Sequence, residues 1–113
     1  MTIRNILIFP DPKLREVAKE VTKFDEELKK LADDLLETMY KSNGIGLAAS
    51  QIGIPLRILV LDVSDEKNKP QIFVNPAVKI LDEKEKDGFD EGCLSIPSFY
   101  EEVIRPVNVE ISF

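Results

Sequence analysis

Glu91-Gly92-Cys93-Leu94-Ser95 is the stretch on which the reading of this chain turns, because it holds the single cysteine of the sequence and sets it directly after a glycine. A second stretch, Gly44-Ile45-Gly46-Leu47-Ala48-Ala49-Ser50-Gln51, is expected to face it. Small residues there let a ligand come close to backbone, and one amide side chain is ready to donate a hydrogen bond. Taken alone, Cys93 suits a buried thiol, a metal ligand or a nucleophile. A thiol nucleophile in acyl transfer normally works with a histidine base, and the sequence has no histidine. A catalytic metal site needs about three protein ligands plus an open position, which one thiolate does not supply. The nearby Asp90, Glu91, Glu101 and Glu102 do not complete such a set, since thiolates and carboxylates suit different ions. The glycine stretch has two readings: a helix stop followed by a tight turn, or an open extended segment that pairs with a peptide by strand addition, with Gln51 donating to an oxygen. It lacks the lysine, hydroxyl and preceding strand of a phosphate loop.

Working outward, the residues before the glycine stretch carry the clearest helical pattern. From Asp25, the apolar residues Leu28, Leu31, Ala32, Leu35, Leu36 and Met39 recur at three- and four-residue steps, while Glu26, Lys29, Lys30, Asp33, Asp34 and Glu37 take the other side. Asp25 reads as the N-cap, and Asn43-Gly44 as the left-handed stop. The apolar stripe is core, and its task is to hold the glycine loop in place. Further upstream, residues 6–9 read as a short strand and residues 11–19 as a short helix with Asp11 as cap and Pro12 first.

Downstream, residues 57–63 form an almost wholly apolar run that predicts a central strand, 64–70 a hairpin connection, and 71–75 and 77–81 two further strands. The charge run at 82–87 reads as a solvated edge or loop. Ile96-Pro97-Ser98 predicts a turn, followed by strands over 100–105 and 107–113 interrupted at Pro106. In the last strand Val107, Val109, Ile111 and Phe113 share one face, and an end on an apolar residue in mid-strand reads as an interruption.

At 113 residues, 43% hydrophobic and 32% charged, the chain predicts one folded domain with one core. Its net charge of -6 speaks against nucleic acid and anionic membrane as partners. No apolar run approaches a membrane span, and the start lacks the apolar segment of a secretory signal, so a cytoplasmic location is expected.

The two motifs occur together and in order, after an early Asp11-Pro12-x-Leu14-Arg15 segment. In all three the chain resembles the peptide deformylases. That resemblance covers the whole chain and implies an α+β fold, with antiparallel strands packed around a helix. It implies a metal-dependent hydrolase that removes the formyl group from the N-terminal formylmethionine of new proteins. By the same resemblance Cys93 is a metal ligand, with Fe2+ as the family's ion and Zn2+, Ni2+ or Co2+ as substitutes. Gln51 and the Leu94 N-H stabilise the oxyanion, and Ile45, Gly46 and Gly92 align an N-formylmethionyl peptide. Tyr100 stands where some relatives carry an arginine that contacts substrate, and Arg105 matches a common basic position. The family's His-Glu-x-x-His helix is absent from these residues, so the expectation is the N-terminal two-thirds of such a domain, truncated before that helix and inactive alone. Exposed apolar surface and self-association are expected with it. The alternative is a non-catalytic module that binds N-terminal peptides.

Overall fold

The apolar stripe forms α1, Glu26–Lys41, the one α-helix among the described residues. Its start is capped as the sequence requires: Asp25 is extended and its carboxylate accepts the Leu28 N-H at 3.2 Å. Its end is closed by the Gly44 N-H, which donates to the Met39 carbonyl at 2.9 Å. The left-handed residue at this stop is Asn43, with φ 57°, and not the glycine beside it. Gly44 is needed for space instead, since a Cβ there would lie 2.8 Å from Cδ1 of Leu94. The helix packs on a sheet, and a computed structural model of the chain describes this arrangement for residues 3–81 and 84–112, with residues 98 and 99 described by their backbone alone.

The sheet has three antiparallel strands in the order β1 (Gly46–Ala48), β2 (Ile58–Leu61) and β3 (Gln71–Val74). As expected from its unbroken apolar run, β2 is central, pairing Leu47 with Val60 on one side and Val60 with Ile72 on the other. The core lies between this sheet and α1, where Leu35, Met39, Ala49 and Val60 are fully buried beside Leu31, Ala32, Leu36, Leu47 and Ile58. Each large side chain sealed there contributes roughly 1.5–3 kcal/mol relative to exposure. Asp34 departs from the expected polar face. It is fully buried, because Arg4 reaches across to it with Nε at 3.1 Å and Nη2 at 2.9 Å.

The remaining strands form two ribbons. β4 (Ala77–Ile80) pairs with β7 (Val109–Ser112), and β5 (Lys86–Cys93) with β6 (Ile96–Pro106). In the first, Val78 lies opposite Ile111 and Ile80 opposite Val109, so one face is apolar, and all four side chains are exposed. Val107 lies outside β7, and Phe113 and residues 82 and 83 of the charge run lie outside the described residues. Lys86 and Asp87, from that run, open β5 as exposed strand residues.

Three local expectations are corrected. Residues 6–9 form no strand, because their amides go to two different elements: Leu7 N-H to the Gln51 carbonyl at 2.7 Å and Phe9 N-H to that of Ser95 at 2.8 Å. The helix at 11–19 is a single 3-10 turn, Pro12–Arg15, that opens where Glu16 turns extended, and Lys19 instead bridges to Leu56. The hairpin turn falls at Leu94 and Ser95, with Ile96 and Pro97 already in β6 opposite the end of β5, because Cys93 pairs directly with Ile96.

Candidate functional site

One cleft of about 700 Å3 opens between the start of β1 and the β5–β6 hairpin, and Ile45, Gly46, Gln51, Gly92, Cys93 and Leu94 all line it. Both sequence motifs therefore meet at one surface. Leu94 joins them: it packs against the main core while lying over Gly44, whose missing side chain leaves room for it. Gly92 plays the matching part on the hairpin. It pairs with Tyr100, whose ring crosses its Cα so closely that a Cβ would sit 2.6 Å from Cε1. The strand register shifts between Gly92 and Cys93, a local irregularity of the kind that re-aims a side chain. Cys93 ends exposed.

Gln51 sits in the 3-10 turn Ala49–Ile52 that follows β1. Its Oε1 accepts the Ala48 N-H at 3.1 Å, which decides the orientation of the amide, since a backbone N-H only donates. The NH2 group therefore faces the hairpin, donating to Cys93 Sγ at 3.5 Å and to Ser95 Oγ at 3.3 Å. Sequence reasoning assigned no task to Ser95, although it closes the cysteine motif. It is 3% exposed, and its carbonyl holds the Phe9 N-H, so the N-terminal strap grips both sides of the cleft.

Backbone groups complete the wall. The Ile45 carbonyl accepts the Asp62 N-H at 2.9 Å, and bonding direction alternates along an antiparallel strand, so Gly46 turns its N-H and C=O to the open side of β1. A Cβ at Gly46 would meet nothing nearer than the Val60 carbonyl at 3.7 Å, so core packing does not demand glycine there. At the rim stand Asp90 and Glu91. Arg105 clasps Glu91, with Nη2 at 2.8 Å from Oε1, and holds its carboxyl below the usual range.

The fold and the site define an α+β class with an open strand edge, a directed amide and an exposed thiol at one cleft. The comparisons make the class particular. The model of the polypeptide deformylase family matches residues 3–113, and the chain belongs to that family. It is 50% identical over 111 residues to the peptide deformylase of Cellvibrio japonicus, a match covering 98% of this chain and 65% of that protein. The chain thus spans about two-thirds of the length of that curated relative. The crystal structure of the Thermotoga maritima enzyme superposes with a TM-score of 0.91 at 42% identity, covering 98% of this chain and 73% of that one. The Ehrlichia chaffeensis enzyme, solved in complex with actinonin, gives a TM-score of 0.85 at 38% identity over 94% of this chain and 64% of that one. The expected α+β fold is that of the family, and membership favours a hydrolase lineage over a non-catalytic peptide-binding module.

Peptide deformylases are metal-dependent. The donors of this chain do not by themselves fit such a centre, because the sequence offers one thiol and no imidazole. Among the described residues no three His, Cys, Asp or Glu side chains stand together. No described helix is long and apolar enough to cross a membrane.

Proposed function

We propose that residues 1–113 form one domain presenting the substrate-facing part of a peptide deformylase, which hydrolyses the N-formyl group from N-formylmethionyl peptides in the cytoplasm. The observation that carries this reading is the Gln51 amide aimed at Cys93 Sγ across 3.5 Å, beside an open strand edge. In this reading an extended peptide adds to the edge of β1. Ile45 and Gly46 on one wall and Gly92 on the other align its backbone, through main-chain bonds that any sequence offers. The Gln51 NH2 and the Leu94 N-H then face the carbonyl oxygen as it gains charge, and donors fixed beforehand spend nothing on reorientation. The Ala48 and Ser95 bonds supply that fixity for Gln51.

Cys93 would give one sulfur ligand to the family's ion, Fe2+, or to Zn2+, Ni2+ or Co2+ in its place. One sulfur by itself cannot hold a catalytic centre. The 113 residues alone are expected to bind an N-formylmethionyl tripeptide saturably, to hold no stoichiometric metal and to release no formate. Calorimetric titration, metal analysis and a formate assay on material of confirmed mass test this together. Turnover by the isolated chain, or absence of tripeptide binding, overturns it.

A further inference from the structure

Asp62, the residue after β2, is 2% exposed, and its carboxylate is met by neutral donors: the Tyr40 hydroxyl at 2.6 Å, the Ser64 N-H at 2.9 Å, the Ser64 hydroxyl and the Lys69 backbone N-H at 3.2 Å. A buried charge answered in this way is expensive, and an apolar residue of similar size would often serve stability as well. What Asp62 accomplishes is geometric. Tyr40 belongs to the last turn of α1, and five residues later the Ile45 carbonyl accepts the Asp62 N-H at 2.9 Å. The intervening segment, residues 41–44, is therefore tied at both ends to one residue. Asn43, Gly44, Ile45 and Gly46, within it and just after it, form a wall of the cleft.

We propose that Asp62 and Tyr40 are positioning residues for that wall: the hydroxyl-carboxylate bond sets where α1 stops, and the Asp62 N-H sets where β1 starts. Neither touches substrate. This rests on the reading of the cleft as a peptide site, and it names what holds the Ile45 and Gly46 edge in register. Hydrogen bonds from Ser64 and Tyr40 keep the Asp62 carboxyl ionised and accepting down to a pKa of about 2.

The test compares two single-atom losses at the same carboxylate. Tyr40→Phe removes the tie to α1, whereas Ser64→Ala removes a hydroxyl from the loop after β2 and leaves the tie intact. Hydrogen bonds to charged groups are among the stronger ones, so Tyr40→Phe should speed exchange of the Gly44 and Asp62 amides about tenfold. Its affinity for an N-formylmethionyl tripeptide should fall by a similar factor, while Ser64→Ala changes Gly44 exchange and affinity less than about twofold. Equal effects in both variants, or an unmoved cleft wall in Tyr40→Phe, would refute positioning and leave only a contribution to stability. If the unaltered chain does not bind the tripeptide, the peptide reading fails by itself and the exchange ratio alone decides the positioning claim. Should Tyr40→Phe not fold, Asp62→Ala, which leaves the Tyr40 hydroxyl with no carboxylate to reach, is read by the same two measures against Ser64→Ala. Faster Gly44 exchange and weaker tripeptide binding are expected, and unchanged values for both would refute positioning.

Discussion

The two halves of this molecule use the same ingredients and end differently. Before Pro76, apolar stripes on α1 and β2 find each other, and Leu35, Met39 and Val60 are sealed. After Asn75, strands with equally regular alternation leave Val78, Ile80, Val109 and Ile111 in solvent, and Ser95 is the only buried residue among those described. Alternation states which residues share a face, and it says nothing about whether a second layer covers that face. A two-stranded ribbon has only one neighbour to pair with, so its apolar face depends on a partner layer.

The sharpest way to break this contrast is to truncate one side chain in each half. Leu35→Ala should lower unfolding free energy by about 2–5 kcal/mol, because a cavity opens in a sealed core. Val109→Ala should cost under about 1 kcal/mol, since little of its contact is lost. Urea denaturation followed by circular dichroism measures both, and comparable losses would mean that the ribbon has a core of its own.

A smaller effect is expected at the apolar ribbon face itself. Contiguous exposed apolar surface binds hydrophobic dyes and promotes self-association. Val78→Thr with Ile111→Thr, opposite each other in register, keeps branched residues in both strands while interrupting the patch. Dye fluorescence should fall and the sedimentation coefficient should shift toward monomer. An unaltered chain that sediments as a clean monomer without dye binding would remove this distinction between the halves.

The smallest effect expected is a slope in pH, seated in the packed half at a buried carboxylate and, among the described ribbon residues, only at the ion pair of Glu91 with Arg105. The Asp62 carboxyl is lowered from 3.8 to about 2, first by the Ser64 hydroxyl and then by Tyr40, against its own burial. Because the folded state holds its proton less tightly than the unfolded one, its contribution is complete above pH 3.8 and is lost as pH falls toward about 2. Tyr40 works with the opposite sign. Its hydroxyl is raised from 10.0 to about 12, mainly by the bond to Asp62, so its contribution is present below pH 10.0 and lost as pH rises to about 12. Asp62→Asn should flatten the acid limb of a stability-pH profile, whereas a ribbon substitution away from Glu91 and Arg105, such as Val109→Ala, should not. An unchanged acid limb in Asp62→Asn would show that this buried carboxylate is not the titrating group.

Much of the site was legible in the sequence because its parts are local strings. The family follows from Glu91-Gly92-Cys93-Leu94-Ser95 and the Gly44 to Gln51 stretch, and the residues named from those strings all line one cleft. The helix was legible too, from cap to stop, since its signals lie within one turn of each end. What was misread depended on distant partners. Asp34 looked solvated until Arg4 arrived from 30 residues away, and residues 6–9 looked like a strand although their hydrogen bonds go to two turns.

By itself, then, the sequence determined the lineage, the helix α1 with its cap and stop, and the central place of β2, because periodicity and short motifs act over a few residues. Only the tertiary structure decided that Gly44 is small for Leu94, that Ser95 steadies Gln51, and that Asp62 ties both ends of the glycine loop. Each of those facts concerns two groups far apart in the chain and a few ångströms apart in space, where burial sets the cost of leaving either without its partner.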